Sequence, residues 1–230
     1  MDEPIYSSYI GLHDNPEIGE RIVIESPAGE RLVEAKSLLA PRIADLTSRV
    51  RDLSRAIQFC EAHDAEWTEH GEPTLIMNAL SEAAIMSYGR AFSRDIRSAA
   101  SLSLDALDVI PGTPREVHAH FIHIRNKFLA HSENPYEDVA VGLSLSQYPS
   151  PPQVTGVFVA HIALTTFTGT QDLIRLSQAF IDHTEVEIKR LHADLFAEAS
   201  QLEVSALYDR ELLSYTMPPP EGAGTRRSPR

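Results

Sequence analysis

The sequence predicts a mainly α protein, an antiparallel bundle of three or four helices with a β-hairpin inserted before the last long helix. Three observations carry that expectation. Apolar residues recur at spacings of three and four through most of the chain, which is the period of one helix face. Between Val139 and Phe167 the period drops to two, as in a strand with one apolar face. Proline and glycine gather where the patterns break, at Ser26-Pro27-Ala28-Gly29, at Gly71 and Pro73, at Pro111-Gly112 and at Pro135. With 230 residues, 43% hydrophobic and 23% charged, the chain is long enough for one sizeable core.

Residues 1–29 are rich in Pro, Gly, Asn and Ser, with one β-branched run at Ile22-Val23-Ile24, and predict an irregular arm holding a short strand. A helical domain is expected over 30–215. From Glu30 to about His63, Leu32, Leu38, Leu39, Ile43, Leu46, Val50, Leu53, Ile57 and Cys60 keep a helical period that Pro41 kinks or restarts. A second helix opens near Pro73 and carries Leu75 to Arg97, with small residues that suit close packing against a neighbour. A short element over Leu102 to Val109 leads to the turn at Pro111-Gly112. The third helix starts with Thr113 as N-cap and Pro114 at the first position, shows Val117, Phe121, Ile124 and Phe128 on one face, and ends before Pro135. The hairpin then spans about 138–167, turning at Tyr148-Pro149-Ser150-Pro151-Pro152-Gln153. The last long helix begins near Thr170 or Gln171 and runs towards Leu207. The Pro- and Gly-rich tail, 216–230, lacks the apolar content to fold by itself.

Composition narrows the function. The N-terminus has no basic region followed by an apolar run, and no segment approaches about 18 uninterrupted apolar residues, so a cytoplasmic protein without membrane contact is expected. A single cysteine, Cys60, leaves no internal disulfide and no cysteine metal cluster. The excess of 33 Asp+Glu over 20 Lys+Arg, a formal charge of −13, argues against a general nucleic-acid coat, whose affinity comes from cations on phosphates. It leaves room for a local basic site, and Arg90, Arg94, Arg97, Arg115, Arg125 and Lys127 all fall mid-chain. No phosphate loop, nucleophile elbow or dinucleotide fingerprint occurs, which removes nucleotide hydrolysis, acyl transfer and hydride transfer as leading ideas.

The densest polar chemistry lies in Arg125-Asn126-Lys127-Phe128-Leu129-Ala130-His131, at the end of the third helix. An arginine followed at short spacing by a histidine, with asparagine directly after the arginine, resembles the Arg-x(4–6)-His motif of the HEPN superfamily. Tyr88-Gly89-Arg90-Ala91-Phe92-Ser93 and Ala130-His131-Ser132-Glu133-Asn134-Pro135-Tyr136-Glu137 look like the flanks of its abortive-infection (Abi-like) branch. The resemblance covers roughly Leu75 to Glu137. It implies a HEPN-like bundle and a metal-independent endoribonuclease of phage-defence or toxin–antitoxin type, without cofactor, acting on RNA as a homodimer with an antitoxin partner. By that resemblance Arg125, Asn126 and His131 are the catalytic residues, and Lys127, Tyr88 and Arg90 bind substrate.

The chemistry suits these residue types. Attack of a 2′-OH on its neighbouring phosphate needs a base for the hydroxyl proton, an acid for the leaving 5′-oxygen and positive charge for the phosphorane. Histidine titrates near neutrality and arginine stays charged, able to fork onto phosphate oxygens. One geometric condition follows. In a continuous helix, positions six apart stand about 120° apart around the axis, so Arg125 and His131 meet only if the helix loosens before Ser132 or a second subunit completes the cleft. Structural roles compete with this reading: Arg125 in an ion pair with Asp95, Glu116 or Glu133, and His131 complementing the helix dipole. His118, His120 and His123 invite a metal, yet no Glu-x-x-His or His-Glu-x-x-His occurs, so none is expected. His63, Glu66 and His70 share a helix face that reads as solvated and polar. A non-catalytic dimeric scaffold of the same fold is the alternative function.

Overall fold

The computed structural model describes residues 21–24, 26, 29–93, 97–129, 137–146, 154–163 and 169–216. The secondary structure is mainly helical. The chain gathers into two compact units where the hydrophobic pattern suggested one core. One unit holds 49–92 and 103–182, and the other holds 1–48, 93–102 and 183–230. Helices α1 (Leu39–His70) and α4 (Thr170–Ser200) each contribute residues to both.

The unit that carries the candidate site contains α1 from Arg49 onwards, α2 (Leu75–Ala91), a 3-10 turn at Leu104–Val109, α3 (Pro114–Ile124), the strands β2 (Glu137–Leu145) and β3 (Val154–Ala163), and α4 up to Asp182. Its core follows helical spacing. Leu53, Ala56 and Cys60 of α1 and Leu173, Leu176 and Phe180 of α4 are buried at intervals of three and four, with Ala84, Ile85 and Tyr88 of α2, Leu107, and Phe121 of α3. Local sequence sets the helix ends. Thr74 caps α2, its hydroxyl accepting from Met77 N at 3.1 Å, which leaves Pro73 outside the helix. Gly71 closes α1 with φ 67°, and Gly112 turns the chain into α3 with φ 92°. Buried Arg49 donates to Ala91 O at the C-terminal end of α2, where a cation complements the dipole. Asp64 of α1 accepts from Gln171 Nε2 at 2.8 Å and Thr170 Oγ1 at 3.2 Å at the start of α4. β2 and β3 pair antiparallel, with Val141 opposite Val159, Leu143 opposite Val157 and Leu145 opposite Val154 across a bulge.

In the other unit, β1 (Arg21–Val23) pairs antiparallel with β4 (Ser214–Thr216), and Val33 bridges to Leu212. α4 ends at Ser200 and is followed by α5 (Val204–Tyr208). Asp45 accepts from the backbone of Ala99 and Ala100, and Arg42 pairs with Glu187 at 3.0 Å.

Three boundaries depart from the sequence reading. α1 begins at Leu39, and Pro41 sits in its first turn, where a missing N–H costs nothing, so it neither kinks nor restarts the helix. Residues 30–36, expected to be helical, form no helix, and Val33 bridges to Leu212 instead. α2 stops at Ala91 instead of Arg97, its end marked by Phe92 N donating to Gly89 O.

Candidate functional site

Arg125 is positioned by a change in its own helix. α3 gives way at Arg125 to a π turn over Arg125–Leu129. Such wide turns shift the side chains that follow and recur at functional sites. The loosening expected before Ser132 thus begins at Arg125; His131 lies outside the described residues, as do Asp95 and Glu133.

Gly89 of α2 makes room for Arg125. A Cβ at position 89 would stand 2.6 Å from Arg125 Cγ, 3.0 Å from Cδ and 3.2 Å from Cβ. The stem of the arginine lies where a side chain would otherwise be, and the absent Cβ lets the two backbones approach. At its far end Nη1 donates to Asn126 Oδ1 at 2.9 Å. Nε is buried with no hydrogen-bond partner among the described residues, and no carboxylate among them bridges the guanidinium. Asn126, expected to orient the histidine or a phosphate, holds the arginine. A guanidinium gripped at stem and one edge, with no carboxylate bridging it among the described residues, is preorganised for an anion such as a phosphate.

The other predicted residues separate. Lys127 is exposed on the same π turn. Tyr88 is fully buried, its ring against Phe92 and Phe121, and its hydroxyl is hydrogen-bonded to His118 Nδ1 at 2.7 Å. Burial raises its pKa well above the usual phenol range. Tyr88 is therefore a core residue, and the expected substrate contact is corrected: no polymer reaches a side chain with no exposed surface. Arg90, one residue after Gly89, pairs with buried Asp52 of α1 at 3.7 Å. Successive helix positions point about 100° apart, so the side that presents Gly89 to Arg125 turns Arg90 towards α1. Its side chain remains 53% exposed beside that ion pair.

Sequence reasoning weighed His118 only as a metal ligand. Its ring stands edge-on to Phe92 at 4.6 Å and tilted to Phe180 at 5.6 Å, with the Tyr88 hydroxyl hydrogen-bonded to Nδ1. Burial, then the nearby charge of Arg115, hold its pKa below the ordinary histidine value. No local signal marks this pair, because its members are 30 residues apart. Gly89 did carry one, as a small residue inside a helical pattern. His63, read as part of a solvated face, is buried and bonded to Asp64 at 3.2 Å. Among the described residues, Glu66, Glu69 and His70 have metal-compatible spacing, and Glu66 already receives Thr74 Oγ1 at 3.1 Å and faces His70 Nε2 at 3.3 Å. A cavity of about 360 Å³ in the unit that contains α5 is lined by Val33, Lys36, His192, Leu195, Phe196 and Leu207, and contains none of the predicted site residues.

No protein-family model, curated protein or solved structure matches the chain. Among the described residues no helix is long and apolar enough to cross a membrane.

Proposed function

We propose that the chain is a HEPN-type, metal-independent endoribonuclease of phage-defence or toxin–antitoxin kind. The observation that carries the reading is the grip on Arg125: stem against Gly89, one edge on Asn126, and no carboxylate bridging the guanidinium among the described residues. A cation fixed in this way can stabilise a phosphorane without reorganising as charge develops. In the reaction the RNA 2′-oxygen bonds to phosphorus and the bond to the 5′-oxygen breaks. One proton leaves the 2′-OH for a base, and one reaches the 5′-oxygen from an acid. His131 supplies one of these transfers and its counterpart in a second subunit the other, with two motifs facing across a shared cleft of a homodimer. Lys127 adds phosphate contact, and the antitoxin covers the cleft in the cytoplasm. No cofactor takes part.

The test is cleavage of RNA by the purified chain in EDTA. Arg125→Ala and His131→Ala are each expected to abolish cutting. Loss of cutting on adding EDTA, or normal cutting by both variants, overturns the proposal.

The formal charge of −13 favours a second reading, a non-catalytic dimeric HEPN-fold scaffold, because that net charge repels RNA beyond about a Debye length from the local cations. A chain that binds RNA or a protein partner through Arg125 yet leaves RNA intact at every metal and pH condition would establish the scaffold.

A further inference from the structure

We propose that His118 is a positioning residue for Arg125, holding α3 on α2 so that the guanidinium keeps its place, and that it lets go when its ring takes a proton. This regulation rests on the reading of Arg125 as the anion-binding group. Positions 118, 121 and 125 are three and four apart, so they share one face of α3 and its π turn. α2 meets that face with Tyr88, Gly89 and Phe92. The Tyr88 hydroxyl is hydrogen-bonded to His118 Nδ1 at 2.7 Å, and the Phe92 ring stands 4.6 Å from the imidazole. Phe121 lies 6.1 Å from Tyr88, and Gly89 takes the stem of Arg125. The contact is a ladder with a polar rung at His118 and the arginine at its far end, about 10 Å away at about 1.5 Å per residue. With only 11 residues, α3 shifts against α2 as one piece.

The surroundings of the imidazole suit its neutral form. α2 presents Phe92 and Tyr88, whose phenol burial keeps neutral, and α4 presents Phe180 at 5.6 Å. α3 itself carries Arg115, which pairs with Asp108 of the 3-10 turn at 2.7 Å. No carboxylate among the described residues bonds to the ring. A proton on it therefore leaves a charge among three aromatic rings and near a like-charged arginine, where burial and repulsion both oppose it. Turning the ring to water relieves both, and the face that turns is the one that seats Arg125. The arginine stem fills the space where a Cβ on Gly89 would lie 2.6 Å away, so the seat depends on that close approach. A displacement near 1 Å at a reacting group costs about 100-fold in rate.

The buried Nε of Arg125 reports the grip without RNA. Its proton–nitrogen cross-peak is assigned by its loss in Arg125→Lys, and its exchange with water is followed from about pH 7.5 to about pH 5, across the histidine range. Hydroxide catalyses this exchange, so in a fixed structure it slows as pH falls. In the wild type it is expected to exceed that trend by at least about tenfold once His118 is protonated and the site opens. His118→Asn keeps a hydrogen-bonding atom near the place of Nδ1 without titrating, and should follow hydroxide throughout. Arg115→Gln removes the like charge from an exposed position and should move the release to higher pH. If His118→Asn unfolds by circular dichroism, Arg115→Gln decides. Wild-type exchange that follows hydroxide throughout, release in folded His118→Asn at the wild-type pH, or an unmoved midpoint in Arg115→Gln overturns the proposal. Cleavage rates alone cannot serve, because His131 titrates in the same range. A chain that releases Arg125 as expected yet cuts no RNA refutes the nuclease reading alone, and cutting without the release does the reverse.

Discussion

Replacing Gly89 by alanine isolates the contact on which the candidate site rests. In an exposed helix interior this change is stabilising by about 1 kcal/mol, because alanine loses less backbone freedom on folding. At position 89 the new Cβ would lie 2.6 Å from Arg125 Cγ and 3.2 Å from its Cβ. These atoms belong to the near part of the side chain, which cannot swing away without moving the π turn. Overpacking of this kind costs about 1–3 kcal/mol, so Gly89→Ala should lower stability by a net of up to about 2 kcal/mol. In a chain of this size a loss of about 2 kcal/mol is roughly 4–8 °C in melting temperature. Arg125→Ala deletes Cγ and Cδ, and in that background Gly89→Ala should become neutral or stabilising by up to about 1 kcal/mol. Chemical denaturation of the four proteins in a double-mutant cycle reads the difference. If Gly89→Ala costs the same with and without the arginine side chain, the contact does not explain the glycine. In the RNA-cleavage assay Gly89→Ala should lose about 100-fold while remaining folded, since a displacement near 1 Å at a reacting group costs that much.

Four further outcomes are expected. Asn126→Ala should leave the fold intact and weaken RNA cleavage, because the guanidinium loses the hydrogen bond that fixes its edge; unchanged rates would free Asn126 of that role. Tyr88→Phe should cost about 1 kcal/mol in urea unfolding, the usual net value of one hydrogen bond, and an effect below about 0.3 kcal/mol would contradict the bond to His118. His118 has a folded pKa below its unfolded one, so its neutral form favours the fold and stability should fall as pH drops below about 6.5. His118→Phe should flatten that slope. Around Asp64, burial raises the carboxyl pKa, but hydrogen bonds from His63, Gln171 and Thr170 outweigh it and hold the group below its usual range. Its contribution is present above about pH 3.9 and is lost as pH falls through the depressed value, so the deficit of Asp64→Asn at neutral pH should shrink in acid.

The fold was largely legible because its signals are local. Pro114 opens α3, and the alternation from Val139 onwards marks strands that pair as a hairpin. Pro41 misled for an equally local reason: it disrupts a helix interior yet suits a first turn, and the apolar spacing before it continues the helical period into backbone that is not helical. The site was legible only as a set of residues. Tyr88, Arg90 and Arg125 all carry groups that could face a cleft, and side-chain chemistry alone does not say which way each one turns.

Amino-acid order by itself determined where helices and strands lie and which of their positions are apolar, because periodicity and capping act over a few neighbouring residues. Tertiary packing decided the fate of the polar groups. The π turn and the missing Cβ of Gly89 bring Arg125 across α2, Tyr88 sinks onto His118, and Arg90 turns to Asp52. Those choices depend on residues tens of positions apart meeting, as Tyr88 and His118 do at 2.7 Å and Arg90 and Asp52 at 3.7 Å, and no local pattern specifies a contact of that range.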